Sequence, residues 1–78
     1  MNPDEARHNH RMFYLTIERL RAQIYLYKCG TSWGQGWPEL NACEAPLRAL
    51  SEQLAANAED DDYENIRAAA WRTEIHGG

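Results

Sequence analysis

The stretch from Pro3 to Cys29 reads as one long amphipathic helix, and a rod of that length dictates what the remainder of a short chain must do. Ala6, His10, Phe13, Ile17, Leu20, Ile24 and Tyr27 recur in alternating steps of four and three, the spacing of a seam that packs lengthwise on another helix. Met12, Leu15, Ala22 and Leu26 form a second apolar stripe, nearly opposite. Arg7, Arg11, Tyr14, Glu18, Arg21, Tyr25 and Lys28 form a third, polar side, expected to face water. Asn2 is a good N-cap, Pro3 suits the first helical position and Glu5 stands where a capping box needs it. Gly30 is a natural C-terminal stop. At 1.5 Å per residue the rod is about 40 Å long, and two apolar sides call for two neighbours.

Those neighbours come from a limited supply. The chain has 78 residues, enough for a single domain with a thin core. Valine is absent, while Ala, Leu, Glu, Gln and Arg are plentiful, so helices are expected and strands are not. Residues 30–37 form a loop rich in Gly and Trp. A second helical pattern covers 38–58, with Leu40, Cys43, Leu47, Leu50, Leu54 and Ala58 in one stripe. Pro46 lies inside it and predicts either a kink or a fresh helix start; the stripe holds its phase across the proline, which favours one kinked helix. An acidic connection, 59–62, ends in Asp62 as N-cap of a third helix over 63–76. The expected fold is all-α: a small helical bundle, its long N-terminal helix packed antiparallel on a kinked second helix, with a short C-terminal helix.

The charge is unevenly placed. Residues 1–30 hold five basic against three acidic side chains, and residues 31–78 hold three against nine. The net of −4 argues against nucleic-acid binding by bulk charge. No run approaches the ~18 apolar residues of a membrane span, and the N-terminus lacks the pattern of a signal peptide, so a cytoplasmic protein is expected. Cys29 and Cys43 flank the loop, where an antiparallel hairpin would allow a disulfide; reduced thiols are the expectation in a reducing compartment. The sequence holds no nucleotide loop, no convergent acid/base pair and no metal spacing, and His8 and His10 point apart on a helix. No catalytic residue, metal or cofactor is assigned.

What remains is contact. Three helices with two apolar stripes each own more apolar surface than they can cover, which predicts a homodimer or a firmly held partner protein. Met12, Leu15, Leu26, Trp71 and Ile75 are the expected oligomer contacts. Trp33, Trp37, Tyr14 and Tyr25 are the aromatic anchors expected for a partner, with Asp60, Asp61 and Asp62 available to a basic surface. The function expected is that of a non-enzymatic, protein-binding regulator or inhibitor occupying a surface of a larger protein, in the manner of small phage- or plasmid-encoded inhibitors. The alternative is a helical oligomer that binds an anionic small molecule or nucleotide through Arg11, Arg19, Arg21 and Lys28.

Overall fold

A computed structural model describes residues 2–30, 37–58 and 62–76. It contains three helices: α1 (Pro3–Gly30), α2 (Trp37–Ala56) and α3 (Tyr63–Ile75). α1 starts as its sequence directs. The Glu5 amide donates to Asn2 Oδ1 at 2.7 Å, and the Ala6 amide to the Asn2 carbonyl at 3.1 Å. α2 runs unbroken through Pro46, which resolves the two readings in favour of one helix. The proline lies on an exposed side, and Leu40, Leu47, Leu50 and Leu54 are half-buried on either side of it. Their packing offsets the roughly 3 kcal/mol that an interior proline costs.

α3 begins differently from expectation. Asp62 does not cap it with its side chain. Both carboxylate oxygens instead accept from the Arg11 guanidinium, at 2.7 Å each. A bidentate charged pair is worth more than a single capping bond, so the side chain turns toward α1.

α1 is the shared spine. Lys28 meets Asn41 and Glu44, and Arg21 meets Ser51, so α2 runs antiparallel to it. Tyr63 lies at His10 and Tyr14, Trp71 at Tyr25, and Glu74 at Arg19 and Gln23. α3 therefore lies alongside α1 in the same direction. The two outer helices pack on α1 and scarcely touch each other.

The buried face of α1 differs from the expected seam. It consists of Tyr14, Ile17, Glu18 and Ala22. Only Ile17 belongs to the first stripe; Tyr14 and Glu18 come from the side expected to be solvated. The reason is pairing. Glu18 is fully buried, and Arg21 Nη1 donates to both its oxygens at 3.0 and 2.8 Å and to Ser51 Oγ at 3.1 Å. Tyr14 Oη lies 3.4 Å from Glu18 Oε1, and its ring packs 4.7 Å from that of Tyr63. A charge whose bonds are met in this way is tolerated inside. Meanwhile Phe13, Leu20 and Tyr27 of the first stripe stay 48, 41 and 59% exposed.

Candidate interaction groove

Two helical spacings build the most distinctive surface. On α1, Arg21 and Tyr25 are four apart; on α3, Arg67, Ala68 and Trp71 span one turn. Because α3 runs with α1, these turns come side by side. Arg21, Arg67, Ala68 and Trp71 line an open groove of ≈ 350 Å³. The Tyr25 and Trp71 rings lie 5.6 Å apart at 54°, a tilted pair. The Arg21 guanidinium carbon sits 5.8 Å from the centre of the Trp71 ring, within cation–π range. Ala68 supplies no bulk, which leaves the groove open.

The groove carries one cation, Arg67, and one indole donor, Trp71 Nε1, that find no acceptor among the described residues. Arg67 is exposed and makes no hydrogen bond or ion pair among the described residues, whereas Arg21 Nη1 is committed to Glu18 and Ser51. Trp71 Nε1 is shut off from water and has no acceptor among the described residues. An unmet buried donor costs about 1–3 kcal/mol. The Tyr14 hydroxyl is pushed above its ordinary pKa by burial and by the Glu18 carboxylate, while a Ser51 hydrogen bond and the Arg67 charge pull it down. Tyr25 is also raised, first by its hydrogen bond with Cys29, four residues on. Among the described residues, Arg21, Arg67, Ala68 and Trp71 line the groove, and none of these four is a nucleophile or a carboxylate.

The expected site residues are distributed unevenly. Tyr25 and Trp71, assigned to separate roles by sequence, are brought together. Tyr14 is 2% exposed, so it is a core residue and not a surface anchor. Met12 and Ile75 are exposed; Leu26 is half-buried, as is Leu15, which lines the α1–α3 junction with Ala69, Ala70 and Thr73. Of the second stripe of α1, Leu15 is therefore taken up by α3, Ala22 is buried and Met12 is left outside. Trp33, Asp60 and Asp61 lie outside the described residues, as does the Trp37 side chain.

The basic residues of α1 are a correction too. Arg11 is spent on Asp62, Arg19 on Glu74 at 2.8 Å, Arg21 on Glu18, and Lys28 on Asn41 at 2.7 Å and Glu44 at 3.8 Å. Arg11, Arg19 and Lys28 clasp α1 to its neighbours, and Arg21 pairs within α1 while reaching Ser51 of α2, so the four do not form a free anion-binding face. Asp62 and Glu74 are both held below the ordinary carboxylate range, chiefly by their arginine hydrogen bonds. Sequence reasoning overlooked Arg67; its one signal was a basic residue one turn before Trp71.

Cys29 and Cys43 are exposed and are not joined in a disulfide. Among the described residues, no three His, Cys, Asp or Glu side chains are grouped to hold a metal, and no helix is long and apolar enough to cross a membrane. Comparison with family models, curated proteins and solved structures finds no match to this chain.

Proposed function

We propose that this chain is a non-enzymatic regulator that binds a larger protein, taking an acidic, partly apolar segment of that partner into the Arg67–Trp71 groove. The observation that supports this most is the convergence of Trp71, Tyr25 and an uncommitted Arg67 at one open site. Trp, Tyr and Arg are the residues that most often dominate binding energy at protein contacts. The groove is open and shallow, which suits a side chain or two of a protein surface better than an enclosed small molecule. The anionic-ligand alternative has less support, because the four α1 cations it requires already have protein acceptors. We place the protein's action in the cytoplasm, where the exposed thiols of Cys29 and Cys43 stay reduced.

The test is capture from the native cell with tagged wild type, Arg67→Glu and Trp71→Ala, each checked for helix content by circular dichroism. A stoichiometric protein retained by wild type, lost with Arg67→Glu and weakened by salt supports the reading. No stoichiometric protein, or equal retention by folded Arg67→Glu, overturns it.

A further inference from the structure

On the side of α1 away from the groove, a second surface carries an independent signal. We propose that two copies of the chain pair through the outer face of α1, antiparallel and in full overlap about a two-fold axis between Thr16 and Ile17.

Area is the first argument. A monomer of 9.0 kDa is expected to expose about 4,850 Å², from the usual scaling of surface with mass. This chain exposes 5591 Å². The excess, roughly 700 Å², belongs to the whole chain, and the outer face of α1 holds a share of it through Met12, Phe13, Leu20 and Tyr27. Shape agrees: the radius of gyration is 14.0 Å, against about 11.5 Å for a compact domain of this length.

Charge is the second argument. Nine residues of α1 between Asn9 and Tyr27 are exposed, and Arg19 alone among them is charged. Arg19 is tied to Glu74 at the α3 edge. The others include Met12, Phe13, Leu20 and Tyr27, each 41–59% exposed, with Thr16 and Gln23 between them. Depletion of charge with enrichment of Met and aromatics marks the core of an interface. A strip whose single charge is already paired also brings two copies of a net-acidic chain together with little repulsion at the contact.

Position identifies the occupant. Ala6 and Tyr27, and likewise Phe13 and Leu20, stand equally far from the point between Thr16 and Ile17, which is also the midpoint of Pro3–Gly30. An antiparallel second α1 then sets Phe13 against the partner copy's Leu20, and Tyr27 against its Ala6, large against small. The same patch serves both subunits, as a two-fold contact requires. The helix dipoles are also opposed in this pairing, the favourable arrangement.

Sedimentation of the full chain is expected to show a dimer at about 100 µM, with little response to salt. Leu20→Glu, at an exposed position, is expected to keep its helix content and give a monomer. Arg67→Glu, on the groove side, is expected to leave the dimer unchanged, so this proposal and the groove reading fail separately. Spin labels set the direction, attached singly at Asn9→Cys, Thr16→Cys and Gln23→Cys in a Cys29→Ser, Cys43→Ser background. Antiparallel pairing places the Thr16 labels close together and the Asn9 and Gln23 labels each about 20 Å apart along the axis. A monomer throughout, an unchanged dimer with folded Leu20→Glu, or similar short distances at all three sites overturns the proposal.

Discussion

Along α3, polar and directional contacts to α1 stand beside the apolar ones: Arg11 with Asp62, His10 with Tyr63, Arg19 and Gln23 with Glu74. Along α2, the counterpart is a row of half-buried leucines, with Lys28 bridging one end. Both helices lean on the same spine, but α3 adds charged clasps to the buried Tyr63 and Ala70, whereas α2 rests mainly on half-buried leucines. Directional bonds set a register and a direction but contribute modestly when exposed. Apolar burial contributes more per residue but tolerates sliding. The clasps of α3 set Trp71 and Arg67 beside Arg21 and Tyr25, whereas α2 mainly covers one side of the spine.

The two attachments share one element, and the largest expected effect comes from breaking it. Glu18 is fully buried between the outer helices, and Arg21 ties it to Ser51 of α2 while lying over Trp71 of α3. Glu18→Ala removes the carboxylate and leaves Arg21 short of its acceptors. Breaking a buried pair costs about 3–5 kcal/mol, and Arg21's partial exposure argues for the lower end. A chain of this length has about 4–12 kcal/mol in total, so the variant is expected to lose between about a quarter and three quarters of its stability. Urea titration followed by circular dichroism measures this. A loss below about 1 kcal/mol would mean that the two attachments do not depend on a common centre.

The next effect has the opposite sign and touches α2 alone. Pro46 gives no amide to its helix, so the Ala42 carbonyl lacks an i+4 partner. The residue is exposed and supports no contact in α3. Pro46→Ala is expected to raise stability by about 1–2 kcal/mol, less than the full interior penalty because alanine also frees the unfolded chain. The same urea titration reads it. A destabilised Pro46→Ala would show that the proline sets the path by which the leucines reach α1.

These two sites also show what the sequence made readable. Helix count and class followed from Asn2-Pro3, from the absence of valine and from the leucine period across Pro46. The buried face of α1 did not follow, because hydropathy scores Tyr14, Glu18 and Arg21 as surface residues when each is considered alone. Tyr14 and Glu18 are buried, and Arg21 partly so, as a bonded set, and the Ser51 that completes it lies thirty residues beyond Arg21. Asp62 looked like a helix cap for the same reason: its partner Arg11 is remote in sequence and close only after folding. The groove was half legible. Tyr25 and Trp71 stood out as aromatics, but their meeting depends on α3 running parallel to α1, which no local spacing encodes.

The smallest effect separates the two attachments by pH. Asp62 and Glu74 titrate below their ordinary values of 3.8 and 4.5 because Arg11 and Arg19 favour the charged forms. A carboxylate with a lowered folded pKa contributes stability that is complete above its unfolded value and is lost as pH falls through the folded one. The α3 clasp is therefore intact at neutral pH, weakens once pH drops below about 4, and is lost further down. Leucine burial along α2 has no such dependence. Amide NMR of the two helices from pH 7 to pH 3 is expected to show α3 signals shifting and broadening first. Asp62→Asn with Glu74→Gln keeps hydrogen-bonding groups but cannot titrate, so it is expected to bring the α3 response close to that of α2. If α2 and α3 loosen together in both proteins, the carboxylates are not what distinguishes them, and α3 is held chiefly by Tyr63 and Ala70 packed on α1.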